Sequence, residues 1–290
     1  MKERDLTIGF IGTGVMGKSM ADNLLRSGYR VHVYSRTKSK AEDLLNEGAT
    51  WHDSPGELVT QCNVLISMVG YPKDVEEIYL GSDGIIQTAN AGTIFIDMTT
   101  SSPNLSKQIE AEAKKQGCYS LDAPVSGGDI GARSGTLSIM VGGDAQVFEK
   151  VEPIFSALGT NVVHQGPAGA GQHTKICNQI AIASTMMGVC ESIKYAERSG
   201  LDPNTVLKSI ESGSAGSWSL SNLGPRIISE NFEPGFYVKH FIKDMGIAIQ
   251  SAEEMGLKLY GLELAKALYS DLANKGEENS GTHALFKLYE

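Results

Sequence analysis

Gly9-Phe10-Ile11-Gly12-Thr13-Gly14-Val15-Met16-Gly17-Lys18 sets three glycines at G-x-G-x-x-G spacing between an apolar run, Thr7 to Ile11, and the helical pattern Met20-Ala21-Asp22-Asn23-Leu24-Leu25. In such a turn Gly12 permits the tight bend out of the strand, Gly14 lets the backbone approach a pyrophosphate, and Gly17 lets helix and strand pack closely. A diphosphate then sits on unpaired N–H groups at a helix N-terminus, where the helix dipole also favours negative charge. The spacing alone is a weak signal. Its context is the required one: strand before, helix after, and a second strand, Val31-His32-Val33-Tyr34, completing a β-α-β unit. The segment Gly12-Thr13-Gly14-Val15-Met16-Gly17 is therefore expected to hold a dinucleotide. A tight turn with no ligand is the competing reading.

The end of the second strand bears on which dinucleotide. NAD sites usually carry an acid there for the ribose 2′-hydroxyl, whereas NADP sites carry Arg and small polar groups for a 2′-phosphate. This chain reads Ser35-Arg36-Thr37-Lys38-Ser39-Lys40, with no acid until Glu42. Arg36 offers a planar fork of donors, Thr37 a hydroxyl and Lys40 a further charge. NADP is favoured, with NAD as the second candidate. A solvated basic loop without a ligand is the bland alternative.

At 290 residues and 41% hydrophobic content the chain exceeds one typical domain and can supply ample core. A net charge of −9 disfavours nucleic-acid binding through a generally basic surface. The four cysteines, Cys62, Cys118, Cys177 and Cys190, are widely spaced, with no C-x-x-C and no metal-ligand cluster, and all four read as reduced core residues. Met1-Lys2-Glu3-Arg4-Asp5 passes straight into the first strand, and no apolar run reaches membrane-spanning length. A cytoplasmic protein, without a leader or membrane span, is expected.

Through the first half, short apolar runs alternate with helical patterns. Candidate strands are Val64 to Val69, Thr93 to Asp97, Tyr119 to Asp122, Leu137 to Val141 and Asn161 to His164. A helix should follow Ser102-Pro103, where Ser caps and Pro suits the first turn. Alternation of this kind implies an α/β fold with a mainly parallel, doubly wound sheet. After Gln165-Gly166-Pro167-Ala168-Gly169-Ala170-Gly171 only helical periodicity remains, beginning with a long helix from Gln172 to Arg198. The expected organisation is a dinucleotide domain over residues 1–165 and an all-helical substrate and dimerisation domain over 166–290. The run Ile180 to Val189 is small or apolar all round, so the helix should be buried under other helices or in a subunit interface. A homodimer or homotetramer is expected on that ground.

Two constellations carry the chemistry. Asp122-Ala123-Pro124-Val125-Ser126-Gly127-Gly128 follows a strand end, and glycines after a serine expose N–H groups that can hold a substrate carboxylate, with Ser126 adding a donor. A plain loop is the alternative. A serine nucleophile is disfavoured, because Pro124 occupies the first glycine position of a G-x-S-x-G elbow. The other is Lys175, in what reads as the first turn of the long helix, poorly placed for the dipole and expensive to bury without a task. Asn178 and Gln179 lie three and four residues on and share its helical face. Such an ammonium can donate to a carbonyl oxygen as hydride reaches its carbon. A snorkelling lysine is the alternative. His173 reads as a boundary residue.

Together, Gly12 to Gly17, Asp122 to Gly128 continuing through Gly131-Ala132 and Gly135-Thr136-Leu137, Lys175 with its amides, and Lys243-Asp244 resemble the β-hydroxyacid dehydrogenases. The subgroup they are most similar to is 3-hydroxyisobutyrate dehydrogenase with the tartronate semialdehyde and glyoxylate/succinic semialdehyde reductases. The resemblance covers nearly the whole chain in the family's order. It implies a Rossmann-type N-terminal domain, an all-α C-terminal domain built on a long helix, and reversible hydride transfer between NAD or NADP and a small 3-hydroxy acid. It implies Lys175 as acid/base, Ser126, Gly127 and Gly128 at the substrate carboxylate, Met68, Val69 and Thr100 along the cofactor, and Lys243 at the nicotinamide end. Many members have Asn four residues after the lysine; here Gln179 stands there and Asn178 one residue earlier, so which amide meets substrate is open. Ser35-Arg36-Thr37, in place of the acid of 3-hydroxyisobutyrate dehydrogenase proper, favours an NADPH-dependent aldehyde-acid reductase. Imine reductases on this scaffold often have a different residue at the lysine position, so Lys175 argues for hydroxyacid chemistry. A dinucleotide-binding sensor or scaffold is the non-enzyme alternative. Candidate pocket residues are Trp218, otherwise a core aromatic, Phe236 and Asn279-Ser280-Gly281-Thr282-His283, with Ser212 to Ser217 as a flexible connection.

Overall fold

A computed structural model describes residues 6–289; the charged stretch Met1 to Asp5, read above as leaving no room for a leader, lies outside the described residues. The chain divides into two compact units, one running through Lys175 and the other from Ile176 onward.

The first unit carries, among the described residues, one nine-stranded sheet: β1 Thr7–Ile11, β2 Arg30–Tyr34, β3 Thr50–Trp51, β4 Val64–Ser67, β5 Ile94–Asp97, β6 Tyr119–Asp122, β7 Val125–Ser126, β8 Leu137–Gly143 and β9 Gly159–Gly166. The order β3-β2-β1-β4-β5-β6 is all parallel, which is the Rossmann arrangement. Beyond it β8 pairs antiparallel with β6 and β7 and parallel with β9, so the sheet is mainly but not wholly parallel. Strands β1 and β4 to β6 are almost wholly buried, as expected of parallel strands covered on both faces. One core joins Ile8, Phe10, Val33 and Ile66 to helix residues Met20, Ala21 and Leu24; a second, on Leu65 and Phe95, takes in Leu58, Val75 and Ile109.

The glycine turn does what its composition requires. Gly12 sits at φ +99°, a left-handed conformation natural to glycine, and a Cβ there would lie 2.2 Å from the Met68 carbonyl. A Cβ on Gly17 would fall 1.9 Å from the Gly12 carbonyl, so only glycine lets helix Val15–Arg26 rest on the turn. Ser102 caps helix Pro103–Lys115 by accepting from Leu105 N–H.

In the second unit, helices Pro203–Ile210, Trp218–Ile228, Val238–Glu254 and Tyr260–Leu272 pack with one face of the long helix Ala170–Arg198, which belongs to this unit from Ile176 onward. Asp202 and Ser217 cap the first two of these. The long helix buries one stripe, Ile176, Ala183, Met186, Val189, Cys190 and Ile193, against Leu220, Phe241, Met245 and Tyr269. Its opposite face, including Cys177, Ala181, Ser184, Gly188 and Tyr195, is exposed in the single chain. This corrects the expectation that all four cysteines are core: Cys62, Cys118 and Cys190 are buried, whereas Cys177 faces outward. Trp218 is likewise no core residue, at 57% exposure. No described helix is long and apolar enough to cross a membrane.

Candidate active site

The first unit gathers most of the residues singled out in the sequence at the carboxyl ends of its parallel strands, where open α/β sheets bind ligands. Gly12 follows β1, and the Met68 N–H donates to the Ile11 carbonyl at 2.9 Å. Val69 N–H donates to Thr99 Oγ1 at 3.0 Å, joining the ends of β4 and β5. Helix Val15–Arg26 begins at Gly14 with no side chain capping it, leaving its first N–H groups available to an anion. A Cβ added at Gly14 would meet nothing within 4 Å, so the space beside that backbone is open. Thr13 Oγ1, beside it, is buried with no hydrogen-bond partner. An open cradle and an unsatisfied hydroxyl fit a bound pyrophosphate.

At the end of β2, Ser35 is half-buried while Arg36, Thr37 and Lys40 are exposed, the last in a short 3-10 turn, Lys38–Ala41. Arg36 Nη1 lies 3.2 Å from Asp74 Oδ1, and Lys38 stands over the Trp51 ring at 5.3 Å. Asp74 escaped sequence reading, since nothing in the linear pattern ties it to the β2 loop. Arg36 is thus drawn toward helix Pro72–Leu80 while remaining largely in solvent, able to turn to a phosphate.

Ser126 is not in a loop. It ends the two-residue strand β7, paired with Ser138 of β8, and Gly127 and Gly128 follow at φ +130° and +61°, turning the chain into helix Gly128–Ser134. Asn23 Nδ2 donates to the Ala132 carbonyl at 2.7 Å, docking that helix on the dinucleotide helix. Residues 126 to 128 are all half-buried, leaving backbone within reach of a small carboxylate.

Lys175 lies in the second turn rather than the first, because the helix starts at Ala170; it is 7% exposed. Asp122, the last residue of β6, accepts from Gly169 N–H at 2.7 Å and from Gln172 N–H at 2.8 Å. Burial pushes its carboxyl up, and those N–H donors oppose the rise. Next to it on β5, Asp97 accepts from Ser67 Oγ at 2.8 Å and Thr99 N–H at 3.1 Å, and burial pushes it up to about 6. Neither acid was assigned a role from the sequence; the available signal was a carboxylate closing an otherwise apolar strand.

In the second unit Gln179 is 1% exposed and donates through Nε2 to Asp244 Oδ2 at 2.6 Å. Its Oε1 accepts from Asn178 Nδ2 at 2.7 Å, and Lys243 Nζ lies 2.9 Å from Asp244 Oδ1. Gln179 is therefore committed to holding Asp244 and Asn178, whereas half-buried Asn178 keeps its carbonyl oxygen and one N–H. Of the candidate pocket residues, Phe236 packs on Phe241, Asn279 accepts from Lys239, and His283 is buried with a ring nitrogen 2.7 Å from the Asn231 carbonyl. His283 and Thr282, whose carbonyl accepts from Tyr269 Oη, are both buried. Ser212 to Ser217 connect two helices as turns.

Comparison with known proteins agrees with this geometry. Residues 7–166 match the family described as the NAD-binding domain of 6-phosphogluconate dehydrogenase, and residues 169–289 that described as the NAD-binding domain of NADP-dependent 3-hydroxyisobutyrate dehydrogenase. The chain is 62% identical to the uncharacterized oxidoreductase YkwC of Bacillus subtilis, covering 98% of each. It is 46% identical to a probable mitochondrial 3-hydroxyisobutyrate dehydrogenase-like protein of Arabidopsis thaliana, covering 98% of this chain and 85% of that one. Among solved structures, the Mycobacterium tuberculosis 3-hydroxyisobutyrate dehydrogenase with L-serine superposes with a TM-score of 0.89 at 29% identity, covering 98% of each chain. Glycine turn, strand order, helical second half and full-length relatives converge: the chain belongs to the β-hydroxyacid dehydrogenase family, as an NAD(P)-dependent oxidoreductase of the 3-hydroxyisobutyrate dehydrogenase type.

Proposed function

We propose that the protein interconverts a small 3-hydroxy acid of the 3-hydroxyisobutyrate kind and its semialdehyde, with Lys175 as acid/base. The observation that carries this is a lysine buried on a helix whose start is bonded to the ends of β5 and β6, in the unit that holds the glycine turn. The nicotinamide cofactor, when bound, supplies or accepts the hydride. Gly12 to Gly17 hold its pyrophosphate, Met68, Val69 and Thr100 flank it, and Ser35, Arg36, Thr37 and Lys40 receive the 2′-phosphate of NADP, the favoured form. Ser126, Gly127 and Gly128 take the substrate carboxylate. Lys175 Nζ donates to the aldehyde oxygen and releases its proton there as negative charge grows; in the oxidative direction the same nitrogen accepts the hydroxyl proton. General acid catalysis of this kind contributes roughly 10²–10⁴-fold. Asn178 is the amide that meets substrate, since Gln179 is held by Asp244. Lys243 serves the nicotinamide end.

The absence of an acid at the end of β2 favours a second reading, an NADPH-dependent glyoxylate/succinic or tartronate semialdehyde reductase. Initial rates with NADPH and NADH over these aldehydes rank the two. Binding of NADPH without turnover of any of them would return the sensor reading. The exposed small-residue face of the long helix supports assembly as a homodimer or homotetramer, and a monomer in sedimentation at working concentration would refute it. A cytoplasmic location goes with this reading, and fractionation of cells checks it.

A further inference from the structure

The start of the long helix is held in an unusual way. Its Gly169 and Gln172 N–H groups, which would otherwise lack helical partners, are both taken by Asp122 at the end of β6. A carboxylate distant in sequence thus caps a 29-residue helix. Gln172 completes the attachment on its other side: Nε2 donates to the Thr99 carbonyl at 2.7 Å, and Oε1 accepts from Ser101 N–H at 2.9 Å. Asp122 and Gln172 are both buried. The approach is so close that two glycines are obligatory. A Cβ on Gly171 would lie 2.3 Å from the Met140 carbonyl, and one on Gly142 would lie 2.5 Å from Asp122 Oδ1 and 2.7 Å from the Gly171 nitrogen. Thr99 is in turn bonded to Val69, beside the glycine turn. Lys175 stands three residues after Gln172, on the same side of the helix.

We propose that Asp122 and Gln172 are positioning residues for the reaction, a clamp that fixes the start of the helix bearing Lys175 against the ends of β5 and β6 and so sets where its ammonium stands. This rests on the assignment of Lys175 as acid/base. Asparagine at 122 keeps one acceptor but turns an NH₂ toward the other N–H, so the helix start must lift or rotate. Glutamate at 172 keeps the bond from Ser101 but loses the donor to Thr99. Either change displaces Lys175 while leaving Gly12 to Gly17 and Arg36 in place.

The test measures kcat, the KM for NADPH and the melting temperature for wild type, Asp122→Asn, Gln172→Glu, Lys175→Ala and the double variant Asp122→Asn/Lys175→Ala. Val151→Ala, which hollows the same unit's core away from the site, is the control for lost stability. The expected result is a fall in kcat of roughly 10–100-fold for Asp122→Asn, the size that a small misplacement of a catalytic group produces. The NADPH KM stays within about twofold, Val151→Ala loses melting temperature without losing kcat, and Asp122→Asn has no further effect once Lys175 is gone. Three results overturn the clamp: unchanged kcat in both Asp122→Asn and Gln172→Glu, a loss that Val151→Ala reproduces, or an undiminished loss in the Lys175→Ala background. Full turnover in Lys175→Ala would instead refute the assignment of Lys175, and the clamp with it.

Discussion

At the scale of single residues, the three glycines of the turn separate binding from folding. Gly14 has φ −75° and open space around it, so Gly14→Ala leaves the melting temperature nearly unchanged but sets a methyl where the pyrophosphate is proposed to rest. Gly17→Ala drives a methyl into backbone; overpacking of this kind costs about 1–3 kcal/mol, and both melting temperature and NADPH affinity fall. Thermal shift with and without NADPH distinguishes the two. Arg36→Ser removes the charge-assisted contact proposed for the 2′-phosphate, worth about 1.5–3 kcal/mol, so the NADPH KM is expected to rise roughly tenfold or more while that for NADH stays put. Steady-state kinetics with both cofactors reads this directly. Asp97 makes a pH prediction. Its folded pKa of about 6 exceeds the ordinary 3.8, so the native state keeps a proton that the unfolded chain releases between those values. The group's stabilising contribution is present below pH 3.8 and is lost as pH rises through 6, a change of about 3 kcal/mol. Melting temperatures should show Asp97→Asn gaining on wild type between pH 4 and pH 7.

At the scale of elements, how much the sequence discloses follows from how far each element's signal extends along the chain. The parallel strands are legible because burial on both faces makes them apolar throughout, as in Val64 to Ser67. β3 and β7, two residues each, are too short for any period to register, so the strand that Ser126 ends is not legible in the sequence. The long helix is legible as a helix, but its apolar circumference hides which face turns inward, and Cys177 was misplaced for that reason. Partners distant in sequence are the least legible: Asp122 with Gly169 and Gln172, Arg36 with Asp74, and Gln179 with Asp244 arise only when the chain folds. The glycine turn and Lys175 could be picked out because each is a local departure, a backbone needing no Cβ or a cation in an apolar helix. On the outer face of that helix, Gly188→Glu sets a charge where the proposed subunit contact lies. Sedimentation should then show a smaller assembly, with the fold retained, because a Cβ at Gly188 meets nothing within 4 Å.

At the scale of the whole molecule, one buried group in each unit responds to acid oppositely to the other. His283 in the second unit is buried, and its pKa is lowered to about 4, chiefly by burial, so the unfolded chain takes up a proton below pH 6.5 that the native state refuses. Its contribution is full above pH 6.5 and is lost as pH falls through 4, whereas that of Asp97 grows over much of the same window. The advantage of wild type over His283→Gln in melting temperature should therefore shrink between pH 6.5 and 4.5. The central claim concerns chemistry, that the family's hydride transfer runs here on a small aldehyde acid with Lys175 moving the proton. Its most direct test is the initial rate of NADPH and NADH oxidation by wild type and Lys175→Ala across methylmalonate semialdehyde, succinic semialdehyde, tartronate semialdehyde and glyoxylate. The account predicts turnover of at least one of these, faster with NADPH, and a loss of roughly 10²–10⁴-fold in Lys175→Ala with cofactor binding intact. Equal turnover by the two proteins, or none by wild type with either cofactor, would contradict it.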